Sequence, residues 1–236
     1  MSDTKVILID VIRATALLTD ATVASWCAAQ QRQFDALGHH WNLQVSIQFV
    51  PPEHQTRPGS MQHWLMDHST EADALGFHTV EGQPIAYTFV ADALNDDVRP
   101  SVTFSHENWE MAVDPTIDRV VRYTDAAGIT WEAPEEVADC CEDDSFSVEW
   151  QGLNGEMVWL TAIALPAWFD HAGVAPFTEP PIPSITGPFQ LAPGGYIGRR
   201  EVAPHVTDWQ QVFAMGERTP RQIKSPASRT VRRFTA

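Results

Sequence analysis

His106 and Glu110 can work as a pair only on a helix, and that requirement constrains the chain more than any other feature of it. The segment Ser105-His106-Glu107-Asn108-Trp109-Glu110 reads H-E-x-x-E. It stands one residue away from the H-E-x-x-H signature of zinc hydrolases. On a helix, two residues four apart lie one turn apart and are rotated by only about 40°. Both side chains then reach a single ion on one face. Glu107 sits beside them as a general base. The flanking sequence supports the helix. Val98 to Val113 reads as one element, with Val102, Trp109 and Val113 at apolar spacing. Ser101 or Thr103 is expected to cap its start. Asp114-Pro115 ends it, because a residue before proline is pushed out of helical geometry. The strand-like run Pro84 to Val90 precedes it.

A tetrahedral zinc site needs a third protein ligand from elsewhere. The best source is the run Glu135 to Asp144, dense in oxygen and sulfur donors. Such a run is usually a solvated loop. Here Val137, Cys140 and Cys141 interrupt the acids and prefer burial. One side of the segment is therefore expected to pack, turning Asp139 or Glu136 towards the ion. Zn2+ is the first choice, and an oxygen-rich site also tolerates Ca2+ or Mn2+.

The chain has 236 residues, of which 44% are apolar, enough for one large domain with an extension. No apolar run approaches the ~20 residues of a membrane span. The start, Met1-Ser2-Asp3-Thr4-Lys5, has no basic n-region and no clean apolar segment after it, so no signal peptide is read. Charge is unevenly placed. Residues 1–198 carry 7 Lys+Arg against 28 Asp+Glu, a balance of −21, and residues 199–236 carry 8 against 3, a balance of +5. The acidic body should repel nucleic acid. The basic end should seek an acidic surface, such as that of a neighbouring copy. Cys27, Cys140 and Cys141 are an odd count with two adjacent, which implies a reducing compartment and no disulfide framework.

Along the chain, Lys5 to Ile12 reads as a strand and Thr19 to Leu37 as an amphipathic helix, with Val23, Cys27, Phe34 and Leu37 inward and Gly38 as its stop. Leu43 to Val50 alternates cleanly and is the best strand pattern. Met61 to Met66 is a further strand. His68 to Gly82 reads as turn-rich, before the strand at Ile85 to Val90 and the metal helix. Hairpins are expected at Arg119 to Trp131 around Asp125-Ala126-Ala127, and at Phe146 to Ile163 around Leu153-Asn154-Gly155. Pro166 to Pro193 should be irregular and extended rather than packed. From Gly198 the chain reads as an arm anchored by Trp209, Phe213 and Phe234.

Other candidates have plainer roles. His78, near the sheet edge, is read as hydrogen-bonded in a turn, with substrate or metal contact as the alternative. His39-His40 meets the negative end of a helix. Asp114 is read as bonding turn amides rather than the ion. Ser105 lacks a nucleophile-elbow context. The acids around Cys140 and Cys141 should raise their thiol pKa, which argues against a reactive thiolate.

Several segments together resemble one family, the zincin-like H-E-x-x-E metallopeptidases encoded by tailed phages and bacteria. They are Ala74 to His78, Gly82 to Val90, Ser105 to Pro115, Glu136 to Asp139 with Glu142 to Phe146, Leu165 to Asp170, and Gly187 to Tyr196. The resemblance implies His106 and Glu110 as metal ligands, Glu107 as catalytic base, and Glu136 or Asp139 in a further metal or structural role. It also implies genes placed among those for virions or host interaction. The chain departs from the family at Asn108-Trp109, where relatives carry aliphatic residues. Trp109 is read either as core packing or as the mark of a remodelled cleft. The expected fold is α+β: a zincin-like mixed sheet with two backing helices, then β-hairpins, over residues 1–170, followed by an irregular Pro/Gly-rich and basic arm over 171–236. The expected function is a zinc-dependent hydrolase, a peptidase of phage or prophage origin. The alternative is a structural virion protein, capsid- or tail-associated, that keeps the fold with a vestigial or structural metal site. Expected partners are other virion proteins or copies of itself, met through the basic arm in the host cytoplasm or the virion.

Overall fold

The structure is a computed structural model that describes residues 4–70 and 74–214. β1 (Lys5–Arg13), α1 (Asp20–Leu37) and β2 (Leu43–Val50) open the chain as a parallel βαβ unit, with Ile7 opposite Val45 and Ile9 opposite Ile47. β3 (Met61–Met66) lies parallel on the other edge of β1. β4 (Gly76–Val80) and β5 (Pro84–Phe89) complete a five-stranded sheet of order β2-β1-β3-β5-β4. β5 is parallel to β3, and β4 alone runs antiparallel at the edge. β1 is flanked on both sides, and Ile9, Asp10 and Val11 are all fully buried, as expected of a strand inside a parallel sheet. β2, at an edge, alternates buried and exposed residues from Leu43 to Gln48.

Two helices follow the sheet, α2 (Val90–Asn95) and α3 (Pro100–Val113). α3 packs on β4, β5 and β9 (Met157–Leu160). Every residue of α3 except Thr103 is buried. Its polar side chains are thus surrounded by protein and must find partners or a ligand.

The rest of the chain is β-rich. β6 (Val120–Thr124) and β7 (Thr130–Pro134) form one hairpin, and β8 (Val148–Gln151) and β9 form another. β10 (Ile163–Ala164) pairs with β11 (Thr178–Glu179). β12 (Tyr196–Glu201) and β13 (Gln210–Phe213) join the first hairpin in a sheet of order β13-β12-β7-β6. The molecule is α+β with a mixed sheet, and both expected hairpins form. No described helix is long and apolar enough to cross a membrane.

Several expectations need correction. The turn-rich stretch from His68 to Gly82 contains strand β4, and the run expected to stay extended to Val90 turns into α2 at that residue. α3 begins with Pro100 in its first turn and Arg99 as N-cap, without a side-chain cap. Proline suits that position because its missing N–H would be unsatisfied there anyway. Ser101 is not a cap; its hydroxyl donates to Trp159 O at 2.7 Å. Gly38 does not end α1 in a left-handed turn. The chain continues as a short 3-10 turn to Trp41, and Asn42 takes the left-handed position at φ 54°. Gly38 is required for closeness instead, since a Cβ there would lie 2.8 Å from Leu43 O. The Pro/Gly-rich stretch is irregular but packed: Trp168, Phe177, Ile182, Ile185 and Ala192 join the hydrophobic core. Beyond Gly198 the described chain is paired in a sheet rather than hanging as an arm. Trp209 lies under the Arg200 guanidinium and Phe213 against Tyr196. Phe234 and residues 215–236 lie outside the described residues.

Candidate metal centre

The last two turns of α3 carry His106, Glu107 and Glu110, exposed by 5%, 2% and 0%. His106 Nε2 lies 3.1 Å from Glu110 Oε1 and 3.3 Å from Asp139 Oδ1. The ligand atoms of these three residues all lie within 4.8 Å of one another. With zinc–ligand bonds of 2.0–2.1 Å, the edge of a tetrahedron is about 3.3 Å. The two His106 separations therefore match the spacing of neighbouring ligands around one ion, and the imidazole and carboxylate donors suit zinc.

Asp139 reaches the site because its loop is fixed from several directions. Val137 O accepts from Ala164 N at 2.6 Å, which ties the loop to β10. Ala138 N donates to Glu110 Oε1 at 3.4 Å, which ties it to α3. Asp139–Cys141 form a 3-10 turn whose Cys140 O accepts from Ala192 N at 2.9 Å. Cys140 and Cys141 are buried, and the Cys141 thiol donates to Ala162 O. The acids of this run are thus interleaved with packed residues, and Glu136 and Asp139 both point inward, at 8% and 5% exposure. Burial first, then the neighbouring Cys141 and Asp139, raises the Cys140 thiol well above its usual value, so neither the acids alone nor any thiolate defines this segment.

His78 lies at the sheet edge, as expected, but its setting differs from the expected one. It is not in a turn but in the middle of β4, 3% exposed. Its Nδ1 lies 3.4 Å from Glu107 Oε2 and 3.5 Å from Glu110 Oε2, and its Nε2 lies 3.7 Å from Glu136 Oε2. His78, Glu110 and Glu136 make a second group able to hold an ion. The available signal was the pair Gly76 and His78, two apart and therefore on one face of any strand.

The charges respond to one another. Burial alone would lower the His106 pKa, but Glu110, Asp139 and Glu107 hold it well above the ordinary imidazole value. His78 is likewise raised, by Glu107 and Glu110 acting against burial. Burial would raise Glu110, yet His106 and His78 hold it well below the usual carboxylate range. Glu110 Oε2 is nevertheless buried without a hydrogen bond, as is His78 Nε2. Buried polar atoms left in this state are costly, and a cation between these residues would satisfy them. The residues present fit a divalent metal.

The neighbours of the motif hold α3 in place. Asn108 Oδ1 lies 2.8 Å from His63 Nδ1, and His63 Nε2 lies 2.9 Å from Thr88 Oγ1, so a buried chain joins α3 to β3 and β5. Burial, against the Asn108 bond and Glu107, pushes His63 down to about 4. Trp109 is fully buried, packs against Phe34 with the rings tilted by 50° and their centroids 4.4 Å apart, and donates to Gln33 Oε1 at 2.8 Å. Its role is core packing against α1, not remodelling of a cleft. Asp114 accepts from the amides of Asp118 and Arg119, as expected of a turn residue. Ser105 accepts from Thr161 N at 2.7 Å, a structural bond.

The chain matches no protein-family model, no curated protein and no solved structure.

Proposed function

We propose that this protein is a metal-dependent hydrolase of the H-E-x-x-E peptidase kind. The supporting observation is the convergence of His106, Glu110 and Asp139, whose donor atoms all lie within 4.8 Å of one another, close enough for one ion. These three residues would hold a zinc-class cation. Bound there, such a cation lowers the pKa of water towards neutrality and polarises a carbonyl. Glu107, beside the ligand pair on α3, takes the proton from the attacking water and returns it to the leaving amine. His78, 3.4 Å from Glu107 Oε2, orients that carboxylate. The experiment is Glu107→Gln in the full chain. Retained metal with lost hydrolysis of a peptide library supports the reading, and undiminished hydrolysis refutes it.

A second reading rests on a different observation. All six residues of the centre are at most 8% exposed, and closed sites are characteristic of structural metals. On this reading the chain is a virion component, capsid- or tail-associated, whose metal locks the loop from Glu135 onto α3. Its basic end then meets the acidic surface of a neighbour. Metal that stabilises the fold with no hydrolysis by the wild-type chain selects this reading.

A further inference from the structure

The two oxygens of the Glu110 carboxylate face two different imidazoles. Oε1 lies 3.1 Å from His106 Nε2, and Oε2 lies 3.5 Å from His78 Nδ1. Each imidazole has its own second carboxylate: Asp139 at 3.3 Å for His106, and Glu136 at 3.7 Å for His78. We propose that Glu110 bridges two divalent cations, one held with His106 and Asp139, the other with His78 and Glu136. The inference rests on the metal-centre reading above and extends it to a two-metal site.

Three observations carry it. First, Glu110 Oε2 and His78 Nε2 are buried and make no hydrogen bond, and both residues belong to the second group. Second, His78 faces both carboxylates of its group, Nδ1 towards Glu110 Oε2 at 3.5 Å and Nε2 towards Glu136 Oε2 at 3.7 Å, both longer than the roughly 2.7–3.2 Å of an N–H···O bond. A histidine serving only as a hydrogen-bond donor would sit nearer its acceptors. Third, four carboxylates (Glu107, Glu110, Glu136 and Asp139) are buried together. Once both imidazoles are neutral, as metal ligands must be, the formal charge of the four carboxylates equals that of two divalent cations. Paired hydrolytic metals sit about 3.5–4 Å apart, a separation that one bridging carboxylate spans.

Held there, two cations would together polarise a substrate carbonyl and activate water, with Glu107 as the base beside the His106–Glu110 pair on α3. His78 and Glu136 are then ligands rather than structural residues.

The test is cation stoichiometry, which needs no substrate. The full chain is stripped of metal, titrated with Zn2+ and separately with Mn2+, and read by native mass spectrometry. The expected result is two ions per chain, falling to one in His78→Ala and in Glu136→Gln, and to none when His106→Ala is added to either. Mn2+ in the wild-type chain should show a spin-coupled spectrum that either single variant converts to an isolated-ion spectrum. Using two independent variants guards against a fold lost in one of them, and circular dichroism of each checks this. One ion in the wild-type chain, unchanged by His78→Ala, overturns the bridge and leaves the single-metal reading standing. No ion in the wild-type chain overturns both.

Discussion

Gly76 and Glu107 compete for the same space: a methyl group on Gly76 would lie 2.9 Å from Glu107 Oε1. It would also lie 2.7 Å from Thr103 Cγ2 and 2.9 Å from the Tyr87 carbonyl oxygen, which cannot swing away. Gly76→Ala should therefore destabilise the protein by about 1–3 kcal/mol, the usual cost of overpacking. It should also displace the Glu107 carboxylate. Chemical denaturation checks the first effect. A wild-type unfolding midpoint in the alanine variant would refute the close approach.

The buried Gln33 side chain is a second pressure point. Its Oε1 accepts from Gln30 Nε2 at 2.9 Å and Trp109 Nε1 at 2.8 Å, and its Nε2 donates to Thr161 O at 2.8 Å. Gln33→Leu keeps the bulk and strips these partners. Each buried group left unsatisfied costs roughly 1–3 kcal/mol, so a loss of about 3 kcal/mol or more is expected from urea melts. Trp109→Phe removes one of these bonds and should cost less.

Acid should weaken the fold through His63. Its folded pKa is pushed down to about 4 by burial, below the unfolded value near 6.5. Between those values the unfolded chain binds the extra proton, so stability is full above about pH 6.5 and falls as pH drops towards 4. The span corresponds to about 3 kcal/mol at most. His78 and His106 act in the opposite sense in metal-free protein, because their pKa values are raised. Their contribution is present at low pH and is lost as pH rises through the raised values. The His63 effect is therefore read as the difference between wild type and His63→Gln in melts at pH 7 and pH 5. Equal slopes for the two proteins would contradict it.

Cation binding should be linked to both stability and protons. Zinc at 100 times its dissociation constant should add about 2.7 kcal/mol, and Asp139→Ala should abolish most of that gain. Because His106 must lose a proton to bind a cation, and the acids around it hold that proton tightly, affinity should fall as pH decreases. Calorimetry in buffers of different ionisation heat counts the released protons. A pH-independent affinity would argue against His106 as a ligand.

What was legible in the sequence was whatever had short-range grammar. Leu43–Val50 alternates, Asn154-Gly155 marks a turn, and His106 and Glu110 keep helical spacing. The inward aim of Glu136 and Asp139 followed from the cysteines and valine between the acids. From sequence His78 reads as a turn residue, with substrate or metal contact as the alternative; that it sits in a strand packed on α3 is a tertiary fact that local patterning does not carry. The packing of Phe177, Ile182 and Ile185 was hidden for a similar reason. They bury one at a time from irregular backbone, with no period to detect.

The hydrogen bond from Ala192 to Cys140 has a consequence for the order in which the molecule matures. The helix bearing His106 leaves the ribosome long before residue 192, yet the turn that brings Asp139 to it is not fastened until Ala164 and Ala192 have both been made. An ion taken up at the proposed centre would therefore be captured late in biogenesis, and a nascent chain stalled short of Ala192 would carry the helical half of its clasp with the other half still loose.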